Sequence, residues 1–204
     1  MELPIDVRRI GVDGPHLLTV TMRLVPRLVI PILAVVITLA GCSTYAAQRY
    51  SIAATNIVGL RAFRGQQVNV GPFSAAKPGR SEITCRAVGP IKTPDGEPFE
   101  EFIRKAFVAD LDIAEVYSAA APVTLTGHLD AIDFSSGLTD AAWDIAMTIS
   151  STNGKRLSVE SHYSFAGNFV GEVACNQTAQ ALMPAVQDLI GKIIGHSDFA
   201  TLLR

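Results

Sequence analysis

The chain has 204 residues, of which 49% are apolar and 18% are charged, a balance typical of one globular domain with a targeting segment. Its formal net charge is −2, and its basic residues are scattered along the sequence. A nucleic-acid partner is therefore not expected, because neutralising phosphates requires clustered Lys and Arg.

The N-terminal part of the chain has the pattern of a secretion signal. Arg23 and Arg27 form a positive start. The apolar stretch 28–40 has about 13 residues, the length of a signal-peptide core, and it is shorter than the roughly 20 residues that cross a bilayer. Residues 1–21 are acidic where a signal begins positive, so we expect translation to start at Met22. We assign 1–41 to the signal peptide; the alternative is an uncleaved membrane anchor.

The signal ends in a short motif, Leu39-Ala40-Gly41-Cys42, that resembles the lipobox of bacterial lipoproteins. The resemblance implies a diacylglyceryl thioether on Cys42, cleavage before it and acylation of the new N-terminus. This lipid would bind the protein to a membrane. Because Ser43 rather than Asp follows the cysteine, we expect the inner leaflet of the outer membrane, facing the periplasm. The periplasmic face of the inner membrane is the alternative.

Two further cysteines, Cys85 and Cys175, form an even pair in an oxidising compartment. We predict a disulfide between them, closing a loop of about 90 residues. The alternative is free, reactive thiols, since Cys175 lies near a predicted helix start, where a thiolate is favoured.

The mature part divides into a lipidated tether over 42–50, a single domain over 51–198 and a tail over 199–204. Helical spacing predicts a short helix within 51–63 that ends at Gly65. The next segments predict a strand over 67–73 with Pro72 facing inward, a strand over 82–88, and a surface turn over 89–97.

Pro98 opens the clearest predicted helix, which extends to about Leu111. On this helix Glu100 with Arg104, and Glu101 with Lys105, are four residues apart and predict ion pairs on a solvated face.

Period-two alternation predicts three more strands, over 123–134, 143–150 and 157–165. The alternation changes parity near Ala131, which predicts a bulge. Asn153-Gly154 predicts a hairpin turn, and a final helix is expected over 173–194, interrupted by Pro184.

One apolar and one polar face along these strands predict a sheet that is covered on one side. The element order therefore predicts an α+β fold, an antiparallel sheet of about five strands with two main helices packed on one face.

This order over residues 66–194, behind a lipobox and a tether, resembles the lipopolysaccharide-assembly lipoproteins and the ABC-type transport auxiliary lipoproteins. The stretches 124–134 and 174–184 look like those of uncharacterised proteobacterial lipoproteins. The resemblance is architectural and implies no particular chemistry.

The sequence contains none of the common catalytic, phosphate-binding or dinucleotide-binding motifs. We therefore expect no enzyme activity, cofactor or metal, and predict a binding or assembly module whose partner is an envelope protein or glycolipid. The predicted binding face carries Thr124, Thr126, His128, Asp130 and His162. The alternatives are an envelope hydrolase or metal-dependent enzyme that uses His128, Asp130 and His162, or a purely structural lipoprotein.

Overall fold

The structure is a computed structural model that describes residues 44–204 and has an α+β fold. Short 3₁₀ turns lie at Arg61–Phe63 and Pro94–Gly96. The strands and α-helices of the described residues follow in the order β1 (Tyr45–Ala46), α1 (Ala54–Leu60), β2 (Asn69–Ala75), β3 (Glu82–Cys85), β4 (Gly89–Lys92), α2 (Phe99–Ile113), β5 (Thr124–Ser135), β6 (Ala142–Ser151), β7 (Arg156–Ser164), α3 (Gly171–Gly195) and α4 (Phe199–Leu202).

The strands form two sheets, not the single antiparallel sheet of about five strands that the sequence predicted. The larger sheet has the order β2-β5-β6-β7, and the smaller has the order β1-β4-β3. Strand β2 runs parallel to β5, because a crossover that includes helix α2 connects them. The predicted α+β class is confirmed, but the main sheet is mixed and strand β3 belongs to the smaller sheet.

Helices α2 and α3 pack on the same face of the larger sheet. Helix α2 contacts β2 and β5, and helix α3 contacts β6 and β7. Trp143 joins the two helices to the sheet: its ring lies 6.4 Å from that of Phe99, and its indole N–H donates to the carbonyl of Thr178, at 2.9 Å. Apolar side chains thus fill one face of the sheet and leave the other to polar residues.

The meander β5-β6-β7 follows the predicted alternation closely. The register of β5 against β6 shifts between Leu129 and Ala131, which confirms the bulge. The turn before β7 also forms where predicted, and Gly154 takes the positive φ of +86° that glycine tolerates best.

Two parts of the N-terminal half differ from the sequence prediction. Residues 89–97, expected as a surface turn, contain strand β4, in which Ile91 is fully buried. Pro72, expected to face inward, is exposed at a register shift between Val70 and Phe73, and Phe73 faces the core instead. A proline has no N–H for the ladder, so it is tolerated at a bulge on this edge strand.

Both ends of the described chain are packed into the domain. Strand β1 lies in the interval predicted as a tether, and the backbone N–H of Ala47 donates to the carbonyl of Lys92. The predicted tail contains helix α4, whose Phe199 is fully buried and packs edge-on against Phe63, with ring centroids 5.2 Å apart. No helix within residues 44–204 combines the length and apolar character needed to cross a membrane.

A disulfide joins the smaller sheet to helix α3. Cys85 ends strand β3 and Cys175 lies near the start of α3, with the two Cα atoms 5.8 Å apart. Both residues are fully buried. This link spans 90 residues of sequence, so it restricts the unfolded chain strongly.

We predict that reducing this disulfide lowers the free energy of unfolding by about 2–5 kcal/mol, because the unfolded chain regains the entropy of a long open loop. Urea unfolding of the purified protein with and without reductant measures the change. A Cys85→Ala/Cys175→Ala variant is the matched control and should unfold at the same urea concentration in either buffer. An unfolding midpoint of the parent protein that does not move with reductant would contradict the prediction.

Candidate functional site

The polar face is the side of the larger sheet that lies opposite helices α2 and α3. His128, Asp130 and His162 are exposed on it, whereas Thr124 and Thr126 are half-buried beside strand β2. The outward polar side chains of β5, β6 and β7 that form it include Thr124, Thr126, His128, Asp130, Asp133, Asp144, Thr148, Ser150, Arg156, Ser158, Glu160 and His162.

A row of hydrogen-bonding side chains crosses all four strands of this face. The Oγ of Ser74 lies 2.8 Å from Nδ1 of His128, and Thr148 donates to the carboxylate of Asp130 at 2.9 Å. The hydroxyls of Thr148 and Ser158 are 2.9 Å apart. These groups stand side by side on rigid strands and present both donors and acceptors to solvent.

Ser74 was not among the predicted site residues, because the first strand was expected to end at residue 73. It lies in strand β2, beyond the bulge at Pro72. The bulge shifts the alternation by one residue, which turns Ser74 outward beside His128. A proline inside an alternating edge strand is the sequence signal that would have predicted this shift.

The predicted set of His128, Asp130 and His162 is not brought together. His128 aligns with Thr148 and Ser158, while His162 aligns with Asp144, four residues further along β7. At about 3.4 Å per residue, this separates the two histidines by roughly 14 Å along the strands.

His162 instead pairs with Asp144, with Nδ1 and Oδ1 2.6 Å apart. Within residues 44–204 no three His, Cys, Asp or Glu side chains are placed to hold a metal ion together. The polar face therefore holds two separate histidine sites.

A cleft of about 260 Å³ adjoins the polar face at Asp130. We call it the edge cleft. It lies between the end of β2, the start of α2 and the bulge of β5, and Phe99 and Ile132 supply part of its apolar lining. Its charged lining residues are Lys77, Arg80, Glu100, Asp130 and Asp133.

Glu100 is the unusual residue of the edge cleft, because only 8% of its surface is exposed. Its Oε1 accepts a hydrogen bond from the backbone N–H of Gly79 at 2.8 Å, while Oε2 is buried with no hydrogen-bond partner among residues 44–204. A buried acceptor without a partner costs free energy.

The predicted ion pairs of helix α2 are wrong in their partners. Arg104 binds Glu101 with two hydrogen bonds of 2.7 and 2.8 Å, and Lys105 pairs with Glu97 at 2.5 Å. The hydrogen bonds from Arg104 lower the pKa of the Glu101 carboxyl. Strand β2 and the loop at Gly79 cover this side of helix α2, so Glu100 faces the edge cleft.

A second group of polar residues is buried where helices α1, α2 and α3 meet. Asp110 accepts hydrogen bonds from the hydroxyl of Tyr50 at 2.8 Å and from the amide of Asn56 at 3.0 Å. The same amide also donates to the carbonyl of Gln187, at 3.0 Å. These bonds join three helices in the interior, away from both the polar face and the edge cleft.

Burial raises the pKa of Asp110, an effect that the hydrogen bonds from Tyr50 and Asn56 partly offset. Burial, reinforced by the nearby Asp110 carboxylate, also raises the pKa of Tyr50. The other oxygen of Asp110 is buried without a hydrogen-bond partner among the described residues. The fold therefore disfavours the ionised form of Asp110 relative to an exposed aspartate, and the cluster serves to hold the helices together.

The predicted lipidation site, Cys42, and the lipobox residues Leu39, Ala40 and Gly41 lie outside the described residues. The described chain begins at Thr44, which is exposed and precedes strand β1.

The chain matches no protein-family model and no curated protein. Among solved structures it is similar to the crystal structure of protein XCC0632 from Xanthomonas campestris, which is described with the family model DUF330. The two are 14% identical, with a TM-score of 0.43, over 74% of this chain and 95% of that chain.

We predict that Asp110→Asn raises the free energy of unfolding at pH 7 by on the order of 1 kcal/mol, because the amide keeps an oxygen for Tyr50 and Asn56 and cannot ionise. The folded-state pKa of Asp110 lies above its unfolded value. Its contribution to stability is thus complete below the unfolded pKa and is lost as the pH rises through the folded pKa. The gain should vanish as the pH falls toward about 4.

Urea unfolding of parent and variant across this pH range measures the difference. Asp112→Asn, at an exposed position of the same helix, is the matched control and should show no such trend. An Asp110→Asn variant that is less stable at pH 7 than at pH 4, relative to the parent protein, would overturn the assignment.

Proposed function

We propose that this protein is a lipid-anchored lipoprotein facing the periplasm, whose domain is a non-catalytic binding or assembly module of the cell envelope. The observation that carries the proposal is the open polar face. Its hydroxyl, imidazole and carboxylate groups are aligned on four strands and lie opposite the helices that cover the other side.

The rigidity of these strands favours recognition. Ser74, His128, Asp130, Thr148 and Ser158 are held by the sheet and by one another, so a partner meets donors and acceptors at fixed spacings. Preorganised groups lose little conformational freedom on binding. The partner that we propose is an envelope protein or an envelope glycolipid.

The edge cleft extends this face with charge of both signs. Lys77 and Arg80 suit anionic groups, and the exposed carboxylates of Asp130 and Asp133 suit a hydroxyl or an amine. A polar head group or a loop of mixed charge would satisfy these residues. The cleft thus supports binding without requiring a reaction.

The anchoring part of the proposal is supported by residues outside the described region. The sequence from Leu39 to Cys42 resembles a lipobox, and Ser43 favours the outer membrane over the inner. The buried Cys85–Cys175 disulfide fits an oxidising compartment.

One observation favours a hydrolase instead, namely the short distance between Ser74 and His128. A serine nucleophile needs a base that is itself oriented by a third group. The Nε2 of His128 lies 3.9 Å from Asp130, too far for a hydrogen bond, so we rank this function second. Labelling of Ser74 by a fluorophosphonate probe would favour it over the binding module.

We predict that a photo-crosslinking residue placed at Ser158 captures a discrete partner in intact cells, because Ser158 is exposed on the polar face, at the β7 end of its row of hydrogen-bonding side chains. Mass spectrometry of the adduct distinguishes a protein from a glycolipid. The same residue placed at Val58, which is 69% exposed on helix α1, is the matched control and should give no such adduct. Identical adduct patterns from both positions, or none from Ser158, would count against the polar face.

We also predict that Cys42→Ala moves the protein out of the membrane fraction, because the residue that carries the lipid is lost. Density-gradient fractionation of cell envelopes measures the change and separates outer from inner membrane. Ser43→Ala is the control and should leave the protein anchored. A parent protein whose mass lacks the acyl chains would refute the anchoring.

A further inference from the structure

Four exposed apolar side chains cluster at one end of the domain. Phe169 is 85% exposed, Leu138 is 62% exposed, and Val170 and Val173 are also open to solvent. We call these four residues the apolar tip. Given the lipid anchor proposed above, we propose that the apolar tip inserts into the membrane that holds Cys42.

The four residues come from the loop after β5, the loop after β7 and the first turn of helix α3. A Cβ added at Gly167 would collide with the backbone of Gly137 and Leu138, so the loop after β7 lies directly against the loop after β5. Phe169, Val170 and Val173 then follow at the start of helix α3. A large aromatic side chain left in water beside three other apolar residues marks an interaction surface.

The remaining large apolar side chains exposed within residues 44–204 lie elsewhere. Ile52 and Val58 lie in or next to helix α1, and Ile113 ends helix α2. Helix α1 packs against the other end of α3, where Asn56 bonds to Gln187. At 1.5 Å per residue, roughly 24 Å of helix separates this end from the apolar tip.

The N-terminal end of strand β1 points toward the apolar tip. Strand β1 runs parallel to β4, with Tyr45 opposite Ile91, so its N-terminal end points toward Val88. Val88 in turn lies against Gly171 at the start of helix α3, since a Cβ added at Gly171 would be 3.1 Å from the side chain of Val88.

A second set of contacts gives the same direction. The side chain of Gln48 bonds to Gln180, and that of Ser51 contacts Met183, so the chain and helix α3 run side by side. Followed backward, both lead to the start of α3, where Phe169, Val170 and Val173 lie.

The distance from the domain to the lipid is short. Cys42 precedes Tyr45 by three residues, and even a fully extended chain spans only about 11 Å over that distance. The acyl chains on Cys42 therefore enter the bilayer close to the apolar tip. Phe169, 85% exposed, is the most exposed large apolar side chain at this end of the domain.

The apolar tip is held in place and has little charge. Arg86 bonds to the hydroxyl of Ser136 at 3.0 Å and to the carbonyl of Phe169 at 3.2 Å, joining the β3–β4 turn to both loops. The charged side chains of 84–90, 136–141 and 165–174 are Arg86, Asp140 and Glu172, one cation against two anions. The occupant is therefore the apolar region of the bilayer, and anionic head groups are not needed.

The test places a tryptophan at the tip and reads its contact with lipid. The full lipidated Phe169→Trp protein is reconstituted into phosphatidylcholine vesicles with brominated acyl chains. Its added emission, the tryptophan fluorescence above that of the parent protein, should fall to about half or less of its value in vesicles without bromine. Val58→Trp is the matched control and should keep its emission. The parent protein supplies the background from Trp143, its single tryptophan, which is fully buried.

The mass of the same preparation separates this inference from the proposed function. Suppose that Cys42 carries its acyl chains and that the added emission of Phe169→Trp is quenched no more than that of Val58→Trp. Insertion of the apolar tip into the membrane is then overturned, whereas the lipid anchor is upheld. A blue-shifted added emission of Phe169→Trp that brominated lipid does not quench would place a second copy of the chain on the tip and also overturn it. Absence of the acyl chains would refute the lipid anchor and with it the insertion of the apolar tip.

Discussion

Burial of one face of the β2-β5-β6-β7 sheet is the constraint on which the rest of the structure depends. Trp143, on the central strand β6, contacts helix α2 through Phe99 and helix α3 through the carbonyl of Thr178. Because these helices cover one face of the sheet, and successive side chains of a strand point to opposite faces, the alternate side chains of each strand lie on the opposite, open face. The polar face is therefore a direct result of core packing, and its spacings are those of a hydrogen-bonded sheet.

The sequence predicted best where the local pattern and the tertiary packing agree. The alternation from Trp143 to Ile149, the parity change at Ala131 and the turn at Gly154 all depend on neighbours along the chain, and all three are present. Strand β4 was missed because Gly89 and Pro90 resemble a turn; its pairing with the distant strand β1 outweighs that local preference.

The candidate site was harder to predict, because it depends on register and on long-range contacts. His128 and His162 share a face, yet pairing through β6 sets them four residues apart, which alternation alone does not reveal. Glu100 has the spacing of a surface ion-pair residue. Its burial follows from the loop at Gly79, which lies 21 residues earlier and supplies its backbone partner. The spacing of charged residues along helix α2 therefore does not predict the contact between Glu100 and Gly79.

The disulfide between strand β3 and helix α3 also bears on how the protein would mature during the export proposed above. Its two cysteines are 90 residues apart, so in that export the first would wait in the oxidising compartment while the second is still being translocated. With the thiol of Cys42 consumed by acylation as proposed, the mature chain has two thiols left and a single intramolecular pairing open to them. An oxidase alone then suffices, and no isomerase is required to correct scrambled bonds.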